Sequence, residues 1–192
     1  MRIRSGTALA TCMMACLAAP AWTGELGGVT LPEQTQVEGS TLVLNGMGQR
    51  EATWLKIKVY VAGLYLGAKS SDADAILHAE QLPKRIVFVF VRSVSRKRVI
   101  QEWDESLEKN VGEDSAALMD RFATLHALMP DTVGKGDEMA LTYLPGKGIV
   151  VEIKGEARGT IPGVDFARAL FAMWLGPRPP NQALKTGLLG CG

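Results

Sequence analysis

The sequence predicts an α+β fold in which a mostly antiparallel sheet is backed by helices, and three observations predict it. Apolar residues recur every second position over 54–66 and 139–143, but every third or fourth over 99–107, 118–129 and 164–175. The elements arrive as strands, helices, strands and a helix, with no repeated strand-helix-strand unit that would build a parallel sheet. The strands of the last third are separated by short glycine turns, as a meander requires.

The chain of 192 residues opens MRIRSGTALATCMMACLAAPAWTGE, with two arginines, an uncharged run rich in Ala, Leu and Met, then Ala19-Pro20-Ala21. Basic, apolar and small-residue segments in that order read as a secretory signal over 1–21. Residues 22–192 are then expected to form one domain, periplasmic or secreted. No later run reaches the roughly 18 apolar residues of a membrane-spanning helix. Of three cysteines, Cys12 and Cys16 lie in the signal, leaving Cys191 and no internal disulfide. Loss of Arg2 and Arg4 takes the formal charge from +1 to about −1, which recommends no nucleic acid partner.

The stretch LNGMGQR, 44–50, reads as a glycine-loosened loop leading into the first strand. In that strand Leu55, Ile57, Val59 and Val61 point one way, while Lys56, Lys58, Tyr60 and Ala62 form a mixed face. Ser71, three residues before Asp74, marks a short helix by a capping-box pattern. RIVFVFVRSV, 85–94, is apolar on both faces through its middle, as a central strand covered on both sides must be. Ser95 can cap a helix whose Val99, Trp103 and Leu107 form one stripe, with Glu105 and Lys109 paired on its wet side. The next helix, 115–129, carries Leu118, Phe122, Leu125 and Met129 on one face and stops at Pro130. A three-stranded meander follows to Ile161, then an apolar helix closed by Gly176, then a short helix after Asn181.

Few residues have the types and spacing for chemistry. His78 and His126 have no metal-ligand spacing to another candidate ligand. Cys191 sits in a glycine-flanked tail, and the glycines near 146 and 159 lack phosphate-loop spacing. Arg92, Arg96, Lys97 and Arg98 surround a helix start, where the macrodipole favours anions, yet Arg98 also stands one turn from Glu102. Arg50 and Tyr60 remain. A guanidinium fork and a phenol can together hold a carboxylate. Ten residues of straight strand would separate them by about 33 Å, so that reading requires a bend or turn near Ala52-Thr53. The alternative is a surface arginine and a core tyrosine bonded to backbone.

GMGQREATWLKIKVYVAGLYL resembles the signature of the chalcone isomerase-like family, a Gly-x-Gly-x-Arg segment followed by a strand ending Val-Tyr-x-x-Gly-Leu-Tyr. GKGDEMALTYLPGKG, GTIPGVDFARALFAMWLG and LKTGLLG resemble its bacterial exported branch. The resemblance implies an open-faced β-sandwich, a large antiparallel sheet backed by helices with a ligand cleft between them. Where plant chalcone isomerases carry an arginine that helps organise the cleft, this chain has Arg50. Their threonine falls on Tyr60, and their tyrosine, lysine and asparagine fall on Ser95, Arg98 and Glu102. With most of that polar set replaced, the resemblance implies no isomerase activity and no cofactor.

Arginine combined with tyrosine is instead similar to the fatty-acid-binding members. The implied function is a non-catalytic periplasmic binding protein whose Arg50 and Tyr60 hold the carboxylate of a fatty acid or similar amphiphile. Apolar residues of 85–91 and 164–175 would contact its tail. A lyase or isomerase on another substrate would need a proton-transfer group beside Arg50, with Tyr60 and Glu102 as candidates. A protein-interaction domain without a ligand would fill the cleft with Trp54, Met173 or Trp174 and leave Arg50 in solvent or a salt bridge.

Overall fold

The computed structural model describes residues 23–52, 55–112 and 117–191. The signal expected over 1–21 lies outside the described residues, as do Thr53 and Trp54. The chain begins with a hairpin of β1 (Thr23–Leu26) and β2 (Val29–Pro32). There follow β3 (Gln34–Val37), β4 (Ser40–Ala52), β5 (Ile57–Leu66), α1 (Ala73–His78) and β6 (Lys84–Phe90). A short β7 (Val94–Ser95) leads into α2 (Arg96–Val111) and α3 (Met119–Leu128), and β8 (Thr132–Val133) pairs back to β7. The chain then forms β9 (Glu138–Leu144), β10 (Gly148–Ile153), β11 (Glu156–Ile161), α4 (Val164–Leu175) and α5 (Gln182–Leu188).

Seven strands make one antiparallel sheet in the order β11-β10-β9-β6-β5-β4-β3. This is the α+β architecture that the element order predicts. Strand β6 is its middle member. Ile86, Phe88 and Phe90 face a large core shared with the helices, whereas Val87 faces a smaller core completed by Val29 and Leu31 of the first hairpin. A strand apolar on both faces is thus covered on both sides.

The segment 44–50 is not a loop. It belongs to β4, and β4 turns back antiparallel onto β5. Its glycines serve packing rather than turning: a Cβ at Gly46 or Gly48 would overlap the backbone of α5 at Gly187 and Leu184. Asn45 is the extra residue of a bulge between Leu44 and Gly46. Its buried amide donates to the carbonyls of Ser70 (2.9 Å) and Leu188 (2.8 Å) and accepts from the Ser70 N–H (2.7 Å). All this ties α5 to the hairpin.

The facing expected for β5 also changes. Leu55 is exposed rather than part of an apolar face, and the supposedly mixed face, carrying Tyr60, Ala62, Leu64 and Leu66, is the one that meets the main core. A second bulge explains this. Lys58 pairs with Glu51 and Tyr60 with Arg50, so Val59 is the extra residue and joins Tyr60 in the same core. The cap of α1 likewise moves by one residue, because Asp72 rather than Ser71 accepts from the N–H groups of Asp74 and Ala75, both at 3.0 Å.

The helical layer packs as its stripes predict. Val99, Trp103 and Leu107 of α2 are buried, as are Phe122 and Leu125 of α3 and most of α4. Fully burying each large apolar side chain contributes about 1.5–3 kcal/mol, so α4 is a main source of cohesion. Lys84 is the exception among the apolar neighbours, being 4% exposed. Its ammonium donates to the Ile76 (2.5 Å) and Leu77 (3.4 Å) carbonyls at the end of α1 and lies over the Tyr143 and Phe171 rings. Burial pulls its pKa down from 10.5 to about 8. None of the described helices is long and apolar enough to cross a membrane.

Two outcomes are expected. Gly48→Ala should cost roughly 1–3 kcal/mol in urea denaturation, since the added methyl meets backbone that cannot yield. Gly67→Ala, with open space around it, should be near neutral. For Lys84, the folded pKa lies below the unfolded one, so its contribution is complete above 10.5 and lost as pH falls through about 8. Stability should therefore rise between pH 7.5 and 9.5 by roughly 1–2 kcal/mol more in the native protein than in Lys84→Met.

Candidate functional site

Arg50 and Tyr60 stand directly opposite each other in the β4-β5 ladder. The separation of a straight strand does not arise, because the chain reverses between them. Among the described residues, the outer edge of β4 at this point pairs with no strand, since β3 pairs only with Ser40–Val43. Asn181, ahead of α5, takes that place. Its amide donates to the Gln49 carbonyl (3.2 Å) and accepts from the Glu51 N–H (3.4 Å), bracketing Arg50 on both sides. The side chain of Arg50 donates to the Glu51 carbonyl and forms an ion pair with Glu102 of α2 at 3.5 Å.

Tyr60 is buried among aromatic rings. Phe88 and Phe90 meet it edge-on at centroid distances of 5.2 and 5.6 Å, and the Trp174 indole N–H donates to its hydroxyl at 3.0 Å. Burial raises its pKa well above the usual phenol value, and Glu102 adds to that, while the Trp174 hydrogen bond and Arg50 pull the other way. The phenol is therefore a neutral hydrogen-bond donor at ordinary pH, poorly suited to act as a base. Behind it, Trp174 packs on Phe88 at 4.9 Å and on Trp103 at 5.6 Å. Edge-to-face and offset contacts of this kind add to burial.

Arg50, Tyr60, Glu102, Trp103 and Trp174 line one cavity of about 110 Å³, with the Arg178–Pro180 segment also on its wall. With about 30 Å³ for each water-sized group, that holds a head group and little else. Ligand sites usually begin near 300 Å³. On the far side of Glu102 is a cavity of about 400 Å³ between β5, the β6-β7 connection and the first turns of α2, lined by Ile57, Val59, Val94, Arg92 and Arg98. Glu102 borders both spaces.

The cationic run at the start of α2 is mostly engaged within the protein. Arg96 pairs with Asp131 (2.7 Å) and donates to the Met129 carbonyl, and Arg98 pairs with Glu102 (3.3 Å). His126 lies 3.2 Å from Asp104 between α3 and α2, its pKa lowered by burial, and the His78 ring lies 2.9 Å from the Asp74 carbonyl of its own helix. Cys191 is exposed. Among the described residues, no cluster of His, Cys, Asp and Glu side chains is placed to hold a metal ion. Of the further residues at the site, Asn181 carried no signal in sequence beyond that of a helix start, whereas the sequence names Trp174 as a side chain that could fill the cleft and Glu102 as a candidate group beside Arg50.

The fold and its site can be set beside known proteins. No curated protein matches the sequence. Among solved structures, an Arabidopsis thaliana fatty-acid binding protein matches with a TM-score of 0.70 over 88% of this chain and 96% of that one, at 17% identity. That likeness establishes the fold. The family model described as chalcone isomerase-like matches residues 23–190, which is nearly all of the described chain. The chain therefore belongs to the chalcone isomerase-like family.

Proposed function

We propose that this chain is a non-catalytic binding protein for a fatty acid or similar amphiphilic carboxylate, exported to the periplasm after loss of residues 1–21. Arg50 and Tyr60 receive the carboxylate. The observation that carries this reading is their placement, opposite each other on neighbouring strands and lining the same cavity. Among the described residues, the hydrogen bond that the Tyr60 hydroxyl makes is the one it accepts from Trp174, so its own proton is free for an anion. The likeness to a fatty-acid binding protein supports the same class of ligand. The raised pKa of Tyr60 favours donation of a hydrogen bond over proton transfer, which argues against Tyr60 as the proton-transfer group of an isomerase or lyase.

A second reading, a protein-interaction domain with no internal ligand, is favoured by a different observation. Met173 and Trp174 are buried side chains that fill the interior behind Tyr60, and Arg50 is already in an ion pair. Titration of the purified, delipidated protein with saturated fatty acids of increasing length separates the two. Uptake of a carboxylate is expected, weakened about tenfold or more in Arg50→Ala and several-fold in Tyr60→Phe, in line with charged and neutral hydrogen bonds. Failure of a folded protein to take up any chain length leaves the interaction reading.

A further inference from the structure

The carboxylate of Glu102 sits between two guanidiniums. One oxygen is 3.5 Å from Arg50 and the other 3.3 Å from Arg98. Both distances exceed the roughly 2.7–2.9 Å of a well-formed charge-assisted hydrogen bond, so each contact is readily exchanged. Glu102 is also three-quarters buried, at 25% exposure, in the wall between the 110 Å³ and 400 Å³ spaces. It presents to Arg50 the same chemical group that a carboxylate ligand would present. On the inner side of Tyr60 the aromatic rings leave no path for a tail. On the outer side, Ile57, Val59 and Val94 offer apolar wall in a cavity of the size that ligand sites use.

Resting on the carboxylate-binding reading above, we infer that Glu102 is an internal stand-in for the ligand's carboxylate. An amphiphilic anion displaces it from Arg50 and lays its tail along Ile57, Val59 and Val94, while Glu102 keeps its contact with Arg98. Exchanging one carboxylate for another leaves the charge at Arg50 balanced. A neutral amphiphile cannot make that exchange, because removing Glu102 from Arg50 would strand a largely buried guanidinium. The cost of displacing Glu102 is common to both ligands, so the anion is selected by what it returns to Arg50, while the glutamate raises the threshold that any occupant must meet.

The test compares decanoate and decanol binding to the purified native protein and to Glu102→Gln, with a thermal melt confirming that each is folded. Glu102→Gln is expected to bind decanoate about fivefold more tightly, the upper end of what a partly exposed ion pair is worth, and decanol more tightly too, since neither ligand then has to part Glu102 from Arg50. Glu102→Asp, which draws the charge back by one methylene, should shift affinity the same way and serves if the glutamine variant does not fold. Ile57→Trp should weaken decanoate while leaving butyrate unchanged, and equal effects on both would overturn the placement of the tail. Native binding with no gain in either Glu102 variant would overturn the stand-in role and leave the binding reading intact. Folded native and variant proteins that all ignore decanoate would overturn both.

Discussion

The register of β4 against β5 is the constraint on which the rest depends. Two bulges set it, one at Asn45 and one at Val59. Without the second, every side chain of β5 beyond it would exchange faces, because side chains alternate with period two. Tyr60 would then leave the aromatic core and no longer face Arg50 across the ladder. The first bulge turns Asn45 into a buried link to Leu188 and Ser70, so the same local irregularity anchors the final helix. Site and packing are two results of one pairing.

Core cohesion and ligand capacity compete in this architecture. The tyrosine that is available to an anion also accepts the only indole hydrogen bond found for Trp174 among the described residues, and that tryptophan fills the interior on which α2 and α4 meet. Enlarging the inner space would expose large aromatic surface and break a buried hydrogen bond together. The outer side of Glu102 carries no such penalty. Its ion pairs are long and partly solvated, and its neighbours are aliphatic side chains at strand and helix ends. Physical economy places adaptability at the rim and rigidity at the centre.

Much of this was legible in the residues. Period-two and period-four patterns located the central strand β6, the meander and the stripes of α2, α3 and α4, because those segments bury continuous faces. Arg50 and Tyr60 were singled out by type and by family resemblance, and the structure puts them side by side. The misreading of 44–50 came from its glycines, which ordinarily mark turns. Here they admit the backbone of α5, whose own Gly187 meets them from residues far along the chain. No local pattern encodes such a contact. The same holds for Asn181, whose role is to complete an edge that β3 leaves bare; for Glu102 the local pattern showed only its i,i+4 partner Arg98, and it was the family resemblance that put it beside Arg50.

The link between Asn45 and Leu188 spans 143 residues of sequence. Contacts so distant raise contact order and slow folding, because loop closure must come before any reward. During synthesis at about 5–20 residues per second, β4 therefore waits for many seconds with its glycine-rich stretch uncovered by α5. The order of manufacture, from first strands to last helix, leaves the anchoring of the hairpin among the final events in building the molecule.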